Sequence, residues 1–152
     1  HTLLYDDLSA EENLVFFARI YAIADPQQRI EEALEQVGLV AHRHRRLRAF
    51  SRGMRQRLAL ARATLHRPVI LLLDEPFTGL DQPARAALSK RLCDLRKAGH
   101  TCIMVTHNPE EGASLANRLV ILRKGRLCYD QAWEGSAIDL AATCAPFWDG
   151  LC

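Results

Sequence analysis

Two adjacent carboxylates, Asp74 and Glu75, follow a continuous aliphatic run and precede Pro76. The run, residues 69–73, has the length and composition of a strand buried on both faces of a parallel sheet. Open α/β sheets bind ligands at the carboxyl ends of their strands, and this pair follows such an end. One carboxylate can hold Mg²⁺ while its neighbour orients a water and accepts its proton, an arrangement typical of phosphoryl transfer. The alternative is a pair that only caps a buried strand.

A second candidate site lies where Ser51, Arg52 and Gly53 precede a helical pattern that runs from Leu58 to Leu65. A hydroxyl, free backbone N–H groups and the positive end of a helix dipole together favour a phosphate. The Arg52 guanidinium adds positive charge at the same place. The alternative is a simple N-cap at Ser51 surrounded by solvated arginines.

Two more polar side chains complete the candidate site. His107 follows the apolar pattern of residues 101–106, and neighbouring parallel strands end close together, so we expect His107 to lie near Glu75 and to bond a terminal phosphate. Asp81 follows a turn that Gly79 permits, and it is expected to cap the next helix. For His107, a surface or helix-capping role is the alternative.

Helices are predicted throughout the first 67 residues. A capping box formed by Ser9 and Glu12 begins one helix. Pro26 opens a second helix that ends near Val37, with Gly38 as its C-cap. The helical pattern after the basic segment 42–57 stops before residue 68.

Strands alternate with helices after Pro68. The order is the aliphatic strand, a helix over residues 83–97, and a strand over residues 101–106, which implies a right-handed parallel crossover. A short helix is predicted over 109–115. A hairpin follows, with strands at 119–122 and 126–129 turned by Lys124 and Gly125, and the tail from Gln131 is predicted to be helical in part.

Composition bounds the class of protein. The 152 residues are 49% hydrophobic and 25% charged, with a net charge of +2, which excludes disorder, collagen and coiled coil. Apolar runs are too short to span a bilayer as a helix. Five widely spaced cysteines without a CxxC pair favour a reducing cytosol over a disulfide framework or a zinc site.

The order of these motifs resembles the ATP-binding subunit of ABC transporters over about residues 1–130. The resemblance lies in residues 51–53 with 56–57, then 72–76, then 78–81, then 105–107. It implies an α/β fold: a partial P-loop NTPase (RecA-like) parallel sheet with the ABC-type helical subdomain. The implied divisions are a helical subdomain with the signature motif at 1–67, the C-terminal part of the RecA-like core at 68–130, and a tail at 131–152.

The same resemblance implies roles for the candidate residues. Asp74 would support Mg²⁺, Glu75 would act as the general base, and His107 would sense the γ-phosphate of ATP. Across a head-to-tail dimer, Ser51, Arg52 and Gly53, with the local backbone, would contact ATP held by a second nucleotide-binding subunit. Asp81 would work across that same interface. A membrane permease would be the other partner, with its coupling helix facing residues 8–40. The protein would be cytoplasmic and peripheral on the inner face of the cell membrane.

Two departures from the family pattern stand out. The signature usually reads Leu-Ser-Gly-Gly-Gln, whereas residues 50–54 read Phe-Ser-Arg-Gly-Met, which lacks the final side-chain amide. No Gly-x-x-x-x-Gly-Lys-[Ser/Thr] loop is present to bind the β and γ phosphates. We therefore expect the C-terminal part of a longer subunit, or a truncated copy, that is inactive in isolation and poorly soluble because sheet edges are exposed.

Residues 1–14 and 50–57 further resemble the ATP-binding subunit of the haem exporter of cytochrome c maturation. ATPase subunits of drug or polysaccharide exporters are an alternative, as is a non-catalytic regulatory or interaction fragment. Nucleic-acid binding through the arginines of residues 42–57 is a further class. It is disfavoured because few aromatics interleave with these arginines and the net charge is low.

Overall fold

The computed structural model describes residues 3–108, 112–134 and 137–148. The chain divides into two compact units, His1–Ile103 and Met104–Cys152. The mixed α/β architecture predicted from the sequence is confirmed. The finer division at residues 67 and 130 stays a prediction.

Three helices and two short 3₁₀ helices build the first part of the chain. The α-helices are α1 (Ala10–Ile20), α2 (Pro26–Gln36) and α3 (Arg52–Thr64), with 3₁₀ turns at Val40–His42 and Leu47–Ala49. They enclose one core of mainly aliphatic side chains, of which the largest fully buried ones are Leu14, Ile30, Leu34, Leu39, Leu47, Leu58 and Leu65. The prediction of a wholly helical start is confirmed.

The predicted capping box begins α1. The Glu12 N–H donates to Ser9 Oγ at 3.1 Å, and the Ser9 N–H donates to Glu12 Oε2 at 2.7 Å. The hydrogen bond that the Ser9 backbone N–H donates to the Glu12 carboxylate, followed by one from the Ser9 side chain, lowers the pKa of that carboxyl. One turn later the fully buried Asn13 accepts from the Tyr5 N–H at 2.8 Å and donates to the Tyr5 carbonyl oxygen at 3.0 Å. The entry to α1 is therefore fastened by paired polar contacts.

A strand, a helix and a second strand follow. They are β1 (Ile70–Asp74), α4 (Gln82–Lys97) and β2 (Thr101–Val105), and β1 pairs with β2 in a two-stranded parallel sheet. The α4 helix buries Leu88, Leu92 and Leu95, which lie on one face at helical spacing. Its Asp81 N-cap and the turn at Gly99 match the predicted limits.

The expectation that β1 and β2 are buried on both faces is wrong. Leu71 is 4% exposed, whereas its neighbours Ile70 and Leu72 are 55% and 76% exposed. In β2, Ile103 is 50% exposed and Val105 is 61% exposed. A continuous aliphatic run makes both faces of a strand apolar. Each face is buried only where another layer of the protein packs against it.

The second unit contains a hairpin and a helix. The antiparallel strands are β3 (Arg118–Arg123) and β4 (Arg126–Ala132), and the terminal helix is α5 (Ala137–Trp148). Lys124 and Gly125 both have positive φ, 50° and 74°, as a two-residue type I′ turn requires. Trp133 is buried and donates its indole N–H to the Ala113 carbonyl oxygen at 3.2 Å. The predicted hairpin and the partly helical tail are confirmed.

Some sequence predictions fall partly outside the described residues. The helix predicted over residues 109–115 includes 109–111, which are not described. The four described cysteines are free thiols, namely Cys93, Cys102, Cys128 and Cys144. No helix among the described residues has both the length and the apolar character needed to cross a bilayer.

The exposed strand face leads to a prediction about solution behaviour. We expect the isolated chain to self-associate, because an exposed apolar strand surface promotes contacts between copies. Replacing the exposed side chain in Leu72→Thr should shift the population towards monomer in size-exclusion chromatography with light scattering. The matched variant Leu71→Thr alters a buried position, so it should lower the melting temperature without this shift. A monodisperse wild-type monomer with a cooperative melt would contradict the expectation.

Candidate functional site

The adjacent carboxylates lie where β1 ends. Asp74 is the last residue of β1 and is exposed, whereas Glu75 is half-buried in the turn that follows. The buried residues Pro76 and Phe77 come next and anchor this turn in the protein interior. The Asp74 carboxylate is therefore accessible to solvent, whereas the Glu75 side chain is partly covered by the protein.

Glu75 has an unusual backbone conformation. Its φ is +45°, in the left-handed region that non-glycine residues seldom adopt. Such a conformation costs about 1–3 kcal/mol and persists only where the surroundings impose it. Thr78 contributes, because its N–H donates to the Glu75 carbonyl oxygen at 3.2 Å and its hydroxyl lies 3.4 Å from Glu75 Oε2. The strain is consistent with a functional carboxylate, although Ala22, Arg67 and Lys124 also have positive φ at turns and helix ends.

Ser51 is the N-cap of α3, as the sequence predicts. The Met54 N–H donates to Ser51 Oγ at 3.2 Å, and the Ser51 side chain is exposed. The hydroxyl uses a lone pair in this bond, so its proton can donate to an external acceptor. Capping and phosphate binding are therefore compatible at this serine.

The first turn of α3 lies against the loop that follows β1. The Arg52 guanidinium occupies the space into which a side chain on Gly79 would project. At the next residue, a Cβ on Gly53 would lie 3.2 Å from Ala84 Cβ and 3.9 Å from Leu80 Cδ2. Two segments that are 25 residues or more apart in sequence, the α3 start and the 79–84 segment, therefore form one surface.

Asp81 ends this loop and begins α4. Its Oδ1 accepts the Ala84 N–H at 3.0 Å, and the side chain is exposed. The predicted capping role is confirmed by this bond. Its second carboxylate oxygen keeps acceptor capacity for a group outside the helix.

His107 belongs to the second unit and follows β2 by two residues. A local turn holds this segment, in which the Asn108 N–H donates to Thr106 Oγ1 at 3.0 Å. The His107 side chain is exposed. Glu75 belongs to the first unit, and the approach of His107 to Glu75 stays a prediction.

Much of the basic segment 42–57 is paired within the chain. Arg43 binds Glu11 and Glu31, both at 2.7 Å, and the hydrogen bond that it donates to the Glu11 carboxylate raises the pKa of the Arg43 guanidinium. Arg55 pairs with Asp6. Arg57 donates to the Val37 carbonyl oxygen at 2.9 Å. These arginines stabilise the helical core, which weakens the case for a nucleic-acid surface.

Sequence reasoning missed what brings the α3 start and the loop together. Gly79 was expected only to permit a turn, and its φ of +70° agrees with that role. Its second role, leaving room for Arg52, has no signal in spacing or composition. Ala84 likewise has no distinguishing motif, although a small residue there permits the close approach of Gly53.

Comparisons with known proteins agree with this arrangement of motifs. Residues 1–78 match the protein family described as ABC transporter. The chain is 36% identical over 135 residues to the ABC transporter ATP-binding protein NatA of Bacillus subtilis, which is 88% of this chain and 55% of that protein. It is 37% identical over 130 residues to the spermidine/putrescine import ATP-binding protein PotA of Bacillus thuringiensis, which is 84% of this chain and 40% of that protein.

A PotA protein of another bacterium matches this chain at a similar identity. The spermidine/putrescine import ATP-binding protein PotA of Nitratidesulfovibrio vulgaris is 37% identical over 127 residues, which is 82% of this chain and 34% of that protein. The chain thus spans about half or less of the length of these relatives.

Proposed function

Because the chain belongs to the ABC transporter family of ATP-binding proteins, we propose that it works in a subunit that hydrolyses ATP to drive a membrane permease. The observation that carries this proposal is the single surface formed by the α3 start and the loop after β1. That surface carries Ser51 and Asp81, and the same loop begins at Glu75. Phosphoryl transfer depends chiefly on positioning and charge, which such a surface can provide.

The donor groups fit magnesium better than a transition metal. Among the described residues, no group of three or more His, Cys, Asp or Glu side chains is arranged to hold a metal ion. Mg²⁺ differs from zinc in this respect, since one or two carboxylates, waters and phosphate oxygens suffice to bind it. Asp74, exposed at the end of β1, would supply that carboxylate, and the ion would neutralise phosphate charge.

The remaining residues would act on water and phosphate. Glu75 would orient the attacking water and accept its proton. Ser51 would donate its hydroxyl proton to a phosphate of ATP on a second nucleotide-binding subunit, with the first N–H groups of α3 beside it. His107 would bond the γ-phosphate, and Asp81 would act across the same subunit interface.

The transported substrate is a separate question. The two differently named relatives match at nearly equal identity, 36% and 37%, so similarity in this segment does not select a substrate. Polyamine import is one candidate for the transport process, because the relative PotA is named for spermidine and putrescine import. The haem-export subtype predicted from residues 1–14 and 50–57 has no support from these relatives. The location proposed for the subunit is the inner face of the cell membrane, bound to the permease.

Magnesium removal tests the proposed function. We expect the native subunit, purified with its permease, to hydrolyse ATP in Mg²⁺ and to lose this activity when EDTA is added. Asp74→Asn should reduce the Mg²⁺-dependent rate, because an amide is a weaker ligand than a carboxylate for a hard cation. The matched variant Asp94→Asn changes an exposed aspartate on α4 and should keep the wild-type rate. A non-catalytic fragment predicts no hydrolysis under any of these conditions.

A further inference from the structure

The planar guanidinium group of Arg52 lies over Gly79. The three atoms that a Cβ on Gly79 would meet first are Nη1, Cζ and Nε of Arg52, all closer than 3.0 Å. Real Cβ atoms do not approach other atoms so closely, so a side chain at position 79 would displace this guanidinium. Because all three atoms belong to the planar group, the guanidinium itself, and not the aliphatic stem of Arg52, makes the contact.

The next residue of α3, Gly53, lies close to the other end of the 79–84 segment. A Cβ on Gly53 would lie 3.9 Å from Leu80 Cδ2, an ordinary contact, and 3.2 Å from Ala84 Cβ, which is tighter than most real contacts. Two consecutive residues of α3 therefore touch residues 79 and 84. Contacts at two points restrict the orientation of the segment as well as its location.

The loop that Arg52 covers needs such restraint. Glu75 has a φ of +45°, which glutamate disfavours, whereas Gly79 adopts its φ of +70° without strain. Strained conformations persist only where neighbouring groups impose them. Phe77 restrains the loop from the interior, where it is 2% exposed. Arg52 and Gly79 are both exposed, so the guanidinium restrains the loop on its solvent side.

We propose that Arg52 is a positioning residue, whose guanidinium fastens the loop bearing Glu75 and Asp81 to the first turn of α3. This inference rests on the proposed function and refines it, because the sequence suggested that Arg52 contacts nucleotide directly. A lysine ammonium on its flexible stem cannot replace the planar, rigid guanidinium at such a contact. The loop and the α3 start then move as one unit when nucleotide arrives.

Hydrogen exchange measured by mass spectrometry tests the contact without any need for ATP. The Thr78 and Leu80 N–H groups donate to carbonyl oxygens within the loop, at 3.2 Å each, so their exchange reports its order. Arg52→Ala should speed their exchange at least about twofold, the lower limit for residues in direct contact. Arg52→Lys should not restore protection. The control Arg45→Ala removes an exposed arginine of the same basic segment and should exchange like wild type.

A double-mutant comparison separates this contact from general destabilisation. Gly79→Ala should speed exchange, because the new methyl group displaces the guanidinium and strains the backbone at positive φ. The double variant Arg52→Ala with Gly79→Ala should exchange no faster than Gly79→Ala alone. Independent effects that multiply, or an Arg52→Ala variant that matches the Arg45→Ala control, would overturn the proposal.

Steady-state kinetics of the native subunit with its permease supply the functional readout. Arg52→Ala should lower kcat and leave KM for ATP within about twofold, since the altered loop carries the groups used in the chemical step. A raised KM with unchanged kcat and unchanged loop exchange would restore direct nucleotide contact and overturn the positioning role. If wild type hydrolyses no ATP, the proposed function fails, while the exchange data still decide whether Arg52 fastens the loop.

Discussion

Glu75→Gln should lower the ATP hydrolysis rate of the native subunit by about 10²- to 10⁴-fold, the contribution typical of a general base. The amide keeps the size and shape of the side chain but cannot accept the proton of an attacking water. Binding of ATP does not require that proton transfer, so the variant should retain bound nucleotide. Rapid-quench measurement of phosphate release, with nucleotide retention followed by filter binding, checks both parts.

Glu35→Gln is the matched control for this substitution. Glu35 is exposed on α2, and the same change of charge there should leave turnover unaltered. Unchanged turnover in Glu75→Gln would remove Glu75 from the role of general base. Equal losses in both variants would instead indicate a general charge effect.

Phe77→Ala should lower the free energy of unfolding by about 3–5 kcal/mol, as expected when a fully buried aromatic side chain is deleted. Phe77 is 2% exposed and lies two residues after Glu75, so its ring supports the strained turn from within. Urea unfolding followed by circular dichroism measures the change. The comparison should be made in a Leu72→Thr background, with Leu72→Thr alone as the reference, so that self-association does not obscure the unfolding transition.

Two further variants make the Phe77 result interpretable. Phe77→Leu keeps an apolar side chain of comparable size and should cost less than about 1.5 kcal/mol. Ile70→Ala shortens a side chain on β1 that is 55% exposed. It should change the free energy of unfolding by only the small amount typical of surface substitutions. If Phe77→Ala cost no more than Ile70→Ala, the ring would not support the turn.

Local chemistry made the helix and turn positions predictable. Ser9, Ser51 and Asp81 each cap the helix that the sequence assigns to them, because a short polar side chain satisfies a nearby backbone N–H whatever the distant fold. Lys124 and Gly125 form the expected turn for a comparable reason. These interactions span only a few residues, so the information they need is present in the local sequence.

Contacts between distant segments were not predictable in this way. The aliphatic residues of β1 carry no information about which layers cover them, and the exposure of Leu72 contradicts the expectation of burial on both faces. The fit of Arg52 over Gly79 depends on how α3 and the loop approach each other in space. The positive φ of Glu75 likewise arises from its surroundings, since glutamate itself disfavours that region.

The helical core of residues 10–65 has a consequence for the order of folding. Its buried members come from α1, α2, α3 and the turns between them, all within one stretch of chain. Contacts between residues close in sequence form quickly, because little loop entropy is lost when they meet. This core can therefore form as residues 10–65 leave the ribosome, before β1 and β2 have emerged. The apolar strands then emerge next to a helical core that is already folded, which shortens the time for which their side chains have nothing to pack against.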